Sequence, residues 1–429
     1  MKLKNIIVPS DVKTKMEAIQ QQDHDAYIVG GAVRDGLLGK PVSDWDIFTD
    51  ATGEEILEIF PNGKIIGNEE RQNRILTVVV DGIEISSFRK SGDRTETGKS
   101  LHDHQATCDY TINALAANID GILIGESQWL NDIKNHRLRF VGQPDNRITE
   151  DPLRILRGMR FASFGFSPTE DTVDAWATYQ DILKDLPIER IVGEIDKCFS
   201  KSRYPSIMLG HMWATGLLKH ILPEIYYMKN SMQNPWYHPY PYNDVWSHVL
   251  HAVDMAKPEY RWHTLLHDVG KYVTGSYDKD KKHNTFHGHA EAGADMIPDI
   301  AARLKLPNKL RDEIIVTTRL HMRAHTVSTK RGIRKLQAEA GDHLEALKEV
   351  CMADCADRKE FNEAAFIQLP PEEVRDYAVT GKYLIDKGIE SGPEMGKIID
   401  ACFKIQLDNG IIDPDEIYDM YNKQNEEEK

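Results

Sequence analysis

The sequence contains no apolar run that approaches the length of a membrane span, and its first residues lack the apolar core of a secretory signal peptide. Cysteine is scarce, with five in 429 residues, and only Cys351 and Cys355 stand at helical spacing. Because no second pair accompanies them, this spacing does not predict a zinc site. These absences favour a cytoplasmic protein with reduced thiols and no membrane partner.

Positive charge is also in short supply. The chain has 68 acidic and 53 basic residues and a formal net charge of −15, which argues against binding nucleic acid through bulk attraction. A local basic groove that grips RNA is compatible with this balance. The chain shows neither internal repeats nor low-complexity segments, and its length predicts about two to four domains.

Residues 27–49, YIVGGAVRDGLLGKPVSDWDIFT, combine features of a phosphate site and a metal site. The opening residues predict a buried strand, which Gly30 and Gly31 end with backbone that can approach a phosphate closely. The residues that follow predict a helix carrying Arg34, whose guanidinium can bind phosphate oxygens in a fork.

Asp44 and Asp46 stand on either side of Trp45. We expect them in a strand, where residues two apart face the same side. Two carboxylates on one face repel each other unless a cation lies between them, and Mg²⁺ with substrate phosphates is the usual occupant. Alone, a Gly-Gly pair is more often a turn and Asp-X-Asp a solvated strand end. Their order and closeness favour the functional interpretation.

This order of strand, Gly-Gly turn, Arg-Asp and carboxylate pair resembles the nucleotidyltransferase signature of the polymerase-β superfamily. The forms GGAVRD and GKPVSDWD are similar to those of the class II tRNA nucleotidyltransferases, the CCA-adding enzymes, and of their bacterial poly(A) polymerase relatives. The resemblance implies that catalytic Asp44 and Asp46 hold one or two Mg²⁺ ions and that Gly31 and Arg34 hold the triphosphate.

Two β-rich runs, Ile75–Val80 and Ile83–Phe88, are joined by Asp81-Gly82, a strong hairpin signal. Glu84 on the second run is either a third carboxylate of the metal site or a solvent-facing residue of an edge strand.

Residues 109–118, DYTINALAAN, resemble the family segment that begins at the aspartate of an Arg-Arg-Asp motif. In that motif the aspartate recognises the ribose 2′-hydroxyl, so the resemblance assigns Asp109 to nucleotide binding. The sequence departs from the pattern because Thr107 and Cys108 stand where the family has the two arginines.

Residues 150–166, EDPLRILRGMRFASFGF, predict one helix with a charged face. An ordinary salt-bridged amphipathic helix is the alternative. In company with the first motif, the segment resembles the family's base-reading motif. By that resemblance Asp151 and Arg154 read the incoming base, and Arg157 and Arg160 support the nucleotide and its phosphates. Residues 187–199, PIERIVGEIDKCF, are similar to the neck of the same enzymes.

Most histidines lie between residue 245 and about residue 360, on segments that predict helices. Imidazoles and carboxylates from helices of one bundle are typical of a metal site, and LLHDVGK places a His-Asp pair among apolar residues, where unpaired charge is costly. The preceding segment, residues 233–244, is irregular and rich in proline and aromatics, which predicts a linker.

The histidine set resembles the HD phosphohydrolase superfamily. This resemblance implies a site for Ni²⁺, Mn²⁺ or Mg²⁺ that cleaves phosphoesters, with ligands His248, His267, Asp268 and Asp354. It makes His289 and His321 further ligands or phosphate contacts. Four further histidines of this region, which we expect to face solvent or to support the ligands, are His251, His283, His287 and His325.

We therefore expect an α+β multidomain chain with a polymerase-β-like nucleotidyltransferase head (residues 1–146), an all-α neck (147–232), an HD helical bundle (233–360) and a helical tail that contacts the tRNA body (361–429). The implied function is template-independent addition or repair of the 3′-terminal CCA of tRNA from CTP and ATP, by a monomer or homodimer. Alternatives are a poly(A) polymerase, an enzyme adding only CC or only A, and a degenerate RNA-binding protein.

Overall fold

The computed structural model describes residues 6–42, 44–66, 77–90, 93–356 and 376–427. The chain divides into two compact units, residues 1–198 with 202–217 and residues 199–201 with 218–429. Across the described residues we find no helix that is both long enough and apolar enough to cross a membrane. The predicted α+β head followed by helical parts is confirmed, and the four domain boundaries stay a prediction.

The first unit contains a mixed sheet, which in the described residues has seven strands in the order β3-β4-β5-β2-β1-β8-β9. β2 runs parallel to β5 and antiparallel to β1. The strands of this sheet are β1 (Ala26–Val29), β2 (Asp46–Thr49), β3 (Lys64–Ile66), β4 (Thr77–Val80), β5 (Ile83–Ser87), β8 (Ala116–Ala117) and β9 (Leu123–Ile124). Shorter pairings join β6 (Arg89–Lys90) to β7 (Asp93–Thr97) and β10 (Arg137–Leu138) to β11 (Ser167–Pro168).

The hairpin between β4 and β5 forms as its turn residues predict. Asp81 and Gly82 have φ angles of 51° and 83°, and consecutive positive φ angles match the twist of antiparallel strands. β4 alternates half-buried and buried residues, so one face of the hairpin packs into the core. Residues 75 and 76 of the predicted first run lie outside the described residues.

Helices flank this sheet and continue the chain beyond it. Two begin with capping boxes, at Thr52 with Glu55 and at Ser100 with Asp103, which satisfy backbone N–H groups of the first turn. The helices up to residue 226 are α1 (Ser10–Gln20), α2 (Gly31–Leu37), α3 (Gly53–Ile59), α4 (Leu101–Thr107), α5 (Ser127–Lys134), α6 (Pro144–Glu150), α7 (Leu153–Ser163), α8 (Glu170–Thr178), α9 (Ile188–Lys201), α10 (Pro205–Ala214), α11 (Leu217–Ile221) and α12 (Pro223–Tyr226), with 3₁₀ turns at Thr111–Asn113 and Gln180–Asp185.

The rest of the second unit is mainly helical, with one small hairpin of β12 (Ser276–Asp278) and β13 (His283–Thr285). Its helices are α13 (Val245–Met255), α14 (Arg261–Leu266), α15 (Lys271–Thr274), α16 (His289–Leu304), α17 (Asn308–Thr326), α18 (Lys330–Ala340), α19 (Leu344–Asp354), α20 (Gly381–Asp386), α21 (Pro393–Asn409) and α22 (Pro414–Glu427), with 3₁₀ turns at Pro258–Tyr260 and Gly341–His343. Apolar residues of α17, α18 and α19 share one core, including Leu320, Leu336 and Leu347. Residues 361–375 of the predicted tail lie outside the described residues.

A glycine lets the turn after α14 approach the start of α16. A Cβ atom on Gly270 would lie 2.0 Å from the backbone oxygen of His289, which is far inside van der Waals contact. The absence of a side chain there brings the His267-Asp268 turn against His289.

Candidate active sites

Strand β2 begins at a carboxylate with acidic neighbours. Asp46 opens the strand and pairs in register with Glu84 of the parallel strand β5. Burial, and then the charges of Glu84 and Asp44, raise the pKa of Asp46 to about 6. A cation placed among these oxygens would relieve the repulsion, and an all-carboxylate set with open positions suits a hard ion such as Mg²⁺.

The prediction that Asp44 and Asp46 share a strand is wrong. Asp44 precedes β2 in irregular backbone and is exposed, whereas Asp46 is half-buried. The cause is the register, because pairing with β5 begins only at Asp46 and pairing with β1 only at Ile47. Asp44 nevertheless lies close enough for its charge to act on Asp46.

The predicted glycine turn follows β1 directly. Gly30 has a φ of 91°, which favours glycine, and α2 begins at the next residue. Arg34 on α2 donates to Asn113 Oδ1 at 2.6 Å and to both carboxylate oxygens of Asp35 at 2.9 Å. These bonds fix its guanidinium, one nitrogen of which lies 3.6 Å from the Cβ position of Gly31.

One cleft of about 950 Å³ in the first unit brings most of the predicted transferase residues together. It lies between the carboxyl end of β1, the start of β2 and the helix α7. The predicted residues that line it are Gly31, Arg34, Asp46, Asp109, Asp151, Arg154, Arg157 and Arg160. Asp44 and Glu84 do not line it and act through their charge on Asp46.

Asp109 is buried in the wall of this cleft and is held from several sides. Its Oδ2 accepts a hydrogen bond of 2.6 Å from Arg157 Nε, and its Oδ1 accepts from the Tyr110 N–H and from Asn113 Nδ2 at 2.8 and 3.0 Å. Burial alone would raise the pKa of Asp109, but Arg157 and these bonds hold it below its usual value. Asp109 is therefore an ionised acceptor within the cleft.

Arginines from the segment around α6 and α7 reach the backbone where the family pattern has its Arg-Arg pair. Arg154 Nη2 donates to the Thr107 carbonyl at 3.0 Å, and Arg147 donates to the Ala106 carbonyl. Arg157 bonds Asp109 directly. Arginines about 40 to 50 positions further along the chain therefore place positive charge beside Thr107 and Cys108.

The prediction of one continuous helix over residues 150–166 is wrong. α6 ends at Glu150 and α7 begins at Leu153, with Asp151 extended between them. Pro152 explains the break because its ring disfavours a helical residue before it. Asp151 Oδ1 accepts from the Leu153 N–H at 3.2 Å, so this carboxylate sits at the start of α7 rather than on its charged face.

The neck helix α9 carries partners that we did not predict. Arg190 Nη2 bonds both carboxylate oxygens of Asp151 at 3.0 and 3.1 Å, and Glu194 accepts a buried bond of 2.7 Å from Arg160. Both α9 residues line the cleft. Arg190 and Glu194 are four residues apart and so lie on one face of α9. Their charges are opposite to those of Asp151 and Arg160, respectively, and this pattern was the signal in the sequence for these contacts.

The second unit gathers the predicted HD residues into one buried cluster. Its potential metal-binding atoms form three groups, each within 4.8 Å, namely His248 with His267 and Asp354, Asp268 with His289 and His321, and His325 with Asp354 and Cys355. The groups adjoin, because His267 Nε2 lies 3.3 Å from Asp268 Oδ2 and 3.6 Å from Asp354 Oδ1. The expectation that the His-Asp pair is helical is wrong, since both residues follow the end of α14 in a turn.

Three of these imidazoles are oriented by backbone carbonyls. The Nδ1 atoms of His267, His289 and His321 each lie 2.7 Å from a carbonyl oxygen three residues earlier. Because a carbonyl only accepts, each Nδ1 donates its proton to that carbonyl, which leaves the Nε2 atom of each ring facing the cluster as the nitrogen that a metal would take. This arrangement is typical of metal-binding histidines, so the residues fit a divalent cation.

The two carboxylates of the cluster are ionised despite their burial. Burial alone would raise the pKa of Asp268, but His267 and Lys271 hold it well below its usual value. Burial likewise opposes ionisation of Asp354, whose pKa is held low by hydrogen bonds from His248, His267 and His325. Ionised carboxylates, together with imidazoles whose Nε2 protons a cation would displace, are the ligands of a cation site.

The four further histidines predicted to face solvent or to support the ligands differ in their surroundings. His325 supports the cluster through a bond of 2.6 Å between its Nε2 and Asp354 Oδ2. His251 stacks on Tyr242 with ring centroids 4.0 Å apart, and His283 Nδ1 lies 2.8 Å from the Asn284 carbonyl. His287 is exposed.

Four residues beside the cluster were missed, namely Gln233, His238, Lys271 and Cys355. Lys271 Nζ donates to Asp268 Oδ2 at 2.6 Å and to Gln233 Oε1 at 2.7 Å, and the His238 ring lies 4.5 Å from that of His248. The only available signal was Lys271, three residues after the His-Asp pair. Segment 233–244 is irregular, as predicted, but it contributes to the centre and is more than a linker.

Comparison with known protein families defines the class of the chain. Residues 26–139 match a model described as "Poly A polymerase head domain", residues 165–228 match "Probable RNA and SrmB-binding site of polymerase A", and residues 245–361 match "HD domain". Together with the cleft and the histidine cluster, these matches define a nucleotidyltransferase that carries an HD domain.

Individual proteins that resemble this chain define its family more narrowly than the domain matches do. A multifunctional CCA protein of Hahella chejuensis is 30% identical over 406 residues, which cover 83% of this chain and 91% of that protein. A CCA-adding enzyme of Staphylococcus saprophyticus is 38% identical over 196 residues, or 43% of this chain, and the alignment spans about half (48%) of that relative's length. The crystal structure of the Bacillus stearothermophilus CCA-adding enzyme in complex with CTP superposes with a TM-score of 0.74 at 23% identity, covering 98% of this chain and 99% of that one.

The chain belongs to the family of the CCA-adding enzymes and multifunctional CCA proteins.

Proposed function

We propose that this protein adds or repairs the 3′-terminal CCA of tRNA, using CTP and ATP and releasing pyrophosphate. The observation that carries the proposal is that one cleft is lined both by the carboxylate that opens β2 and by the arginine-bearing helix α7. A reacting phosphate and the base attached to it can therefore be held in the same site. Family membership supports the same reaction.

The residues divide the work by their chemistry. Gly31 offers backbone close to the triphosphate, and Arg34, fixed by Asn113 and Asp35, holds its oxygens. Asp46, with Asp44 and Glu84 nearby, would hold Mg²⁺, which when bound neutralises phosphate charge and favours ionisation of the primer 3′-hydroxyl. That oxygen attacks the α-phosphorus, the bond to pyrophosphate breaks, and the hydroxyl proton passes to solvent.

Base and ribose recognition fall to the opposite wall. Asp151 and Arg154 offer an acceptor and donors to the base, and Asp109 accepts from the ribose 2′-hydroxyl. Arg157 holds Asp109 ionised, and Arg160, paired with Glu194, supports the wall near the phosphates. Most of this catalysis would come from positioning and charge stabilisation rather than from covalent chemistry.

The test is incorporation of labelled CTP and ATP into a tRNA transcript that ends before the CCA. We expect addition by the wild type with Mg²⁺ and a loss of about a thousandfold or more in Asp46→Asn, whereas Asp120→Asn, at an exposed loop residue, keeps the wild-type rate. Equal rates in wild type and Asp46→Asn would refute the assignment of Asp46.

We propose as a second activity that the HD centre hydrolyses phosphomonoesters or 2′,3′-cyclic phosphates with a bound divalent metal such as Ni²⁺ or Mn²⁺. The supporting observation is the set of adjoining ligand groups with three oriented imidazoles. A divalent ion there would lower the pKa of a bound water. We expect His267→Ala to lose metal and hydrolysis, while the exposed His220→Ala retains both. Equal hydrolysis by wild type and His267→Ala would remove this activity.

A further inference from the structure

The irregular segment 233–244 is pinned at both ends beside the HD cluster. The Gln233 N–H donates to the Asn243 carbonyl at 2.8 Å, and the Val245 N–H donates to the Ser231 carbonyl at 3.1 Å. Met232 and Asp244 form an isolated bridge, and the Asn284 N–H donates to Met232 at 2.9 Å. These bonds close the segment into a loop that holds a defined place on the HD unit.

The loop buries its polar residues and exposes its large aromatic ones. Gln233 and His238 are 3% and 8% exposed, whereas Trp236 and Tyr240 are 85% and 87% exposed. Hydrophobic burial would favour the reverse arrangement. Apolar packing therefore does not explain the conformation of the loop. What this conformation does is place polar groups against the cluster.

Hydrogen bonding fixes which atom of Gln233 is available. Lys271 Nζ is a donor only, so the atom 2.7 Å from it must be Oε1, and the Nε2 group faces away. Nε2 is buried and donates to no partner among the described residues. A buried amide without a hydrogen-bonding partner is unfavourable, so a ligand that accepts from it is favoured.

His238 presents a second such atom. Its Nδ1 is buried without a hydrogen-bond partner among the residues that the structure describes, and its ring packs edge-on to that of the metal-ligand candidate His248. An imidazole carries at least one N–H, so this ring can offer a donor from its buried Nδ1.

We propose that Gln233, His238 and Lys271 form the phosphate-binding subsite of the HD centre, in which their N–H groups bind the non-bridging oxygens of the substrate phosphate. An amide NH₂, an imidazole N–H and an ammonium group are donors, and phosphate oxygens are acceptors. The subsite adjoins the ligand groups, because Lys271 bonds Asp268 and His238 packs on His248. This inference rests on the proposed hydrolase activity and names how its substrate is held.

The test measures binding of inorganic phosphate to the Mn²⁺-loaded full chain by calorimetry, with metal content read by mass spectrometry in the same samples. The variants are His238→Ala and Gln233→Glu, which is nearly isosteric and places a negative charge at the subsite. Tyr240→Phe, at an exposed residue of the same loop, is the matched control. Melting temperatures identify any variant that fails to fold.

We expect wild-type metal content in every variant and phosphate affinity lowered about 10- to 100-fold in His238→Ala and Gln233→Glu, with no change in Tyr240→Phe. The KM for 2′,3′-cyclic CMP should rise by a similar factor. Unchanged phosphate affinity in both variants overturns the subsite, as does a loss of metal in His238→Ala, which would make His238 a ligand. A wild type that retains metal but binds no phosphate and hydrolyses nothing refutes the hydrolase proposal itself.

Discussion

The transferase cleft and the HD centre hold their metal-binding groups in opposite ways. In the cleft, Asp46 is half-buried and its acidic neighbours Asp44 and Glu84 are exposed; burial, and then the charges of these neighbours, raise the pKa of Asp46 to about 6. In the HD centre the six ligand candidates are buried, and three imidazoles are oriented by carbonyls. The first arrangement leaves positions for substrate oxygens, whereas the second is assembled before substrate arrives.

From this difference we propose that the cleft would exchange its metal with solvent, whereas the HD centre would retain one. Mg²⁺ is usually held by one or two carboxylates together with substrate phosphates, as the open cleft allows. Fixed histidine ligands favour tighter retention of a transition metal.

Purification without chelator or added metal should separate the two sites. We expect the HD centre to retain about one or two transition-metal ions per chain, while nucleotide addition falls about a thousandfold and returns when Mg²⁺ is added. Metal analysis of the purified chain and of His267→Ala checks the first part, and a rate assay checks the second. Equal metal content in the two proteins, or addition that proceeds without Mg²⁺, would break the contrast.

Gly270→Ala should destabilise the HD unit by about 3 kcal/mol or more, because its Cβ would lie 2.0 Å from the His289 backbone oxygen. The clash is with backbone, so neither a rotamer change nor a small side-chain shift removes it. Chemical denaturation measures the effect. Gly396→Ala on α21 is the control, since a Cβ there has no neighbour within 4 Å among the described residues and should stabilise the helix by about 0.5–1 kcal/mol. Similar stabilities of the two variants would contradict the close approach.

Arg157→Ala should lower kcat/KM for CTP about 10- to 100-fold. It removes the 2.6 Å bond that holds Asp109 ionised in the cleft wall, and the pKa of Asp109 should rise. The control is Arg137→Ala, at an exposed arginine, which should leave kcat/KM for CTP unchanged. Steady-state kinetics with saturating tRNA measure this value. An unaltered kcat/KM for CTP in Arg157→Ala would show that Asp109 needs no charge partner.

Asp151→Ala should have the smallest effect, a relaxation of base choice of about tenfold. The carboxylate is an acceptor at the start of α7, and its loss removes one polar contact while the phosphates stay held. Competition between CTP and UTP for one incorporation measures the ratio, with Asp174→Ala on the exposed face of α8 as control. An unchanged ratio of CTP to UTP incorporation would show that other residues of the cleft read the base.

Local patterns could be predicted from the sequence, whereas tertiary pairings could not. The strand before Gly30, the Asp81-Gly82 hairpin and the helical histidines follow from periodicity and turn chemistry within a few residues. The break at Asp151 was missed although Pro152 signals it, because the charged periodicity of the segment outweighed the proline. Asp44 was misplaced because strand ends depend on partner register.

The unpredicted members of both sites come from distant or irregular parts of the chain. Arg190 and Glu194 join the cleft from α9, more than 30 residues after the groups they bind. Gln233 and His238 lie in a loop whose proline and aromatic content predicted only a linker. The spacing of Arg190 and Glu194 marks one face of α9, but no local pattern encodes which distant residues they contact, since that depends on how the chain closes on itself.

The most direct measurement of the central claim is the mass of the tRNA 3′ end after incubation of a transcript lacking CCA with the protein, Mg²⁺ and all four nucleotides. The account predicts growth by two cytidines and one adenosine, after which extension stops. Growth by adenosines alone, a stop after CC, or no growth at all would contradict it.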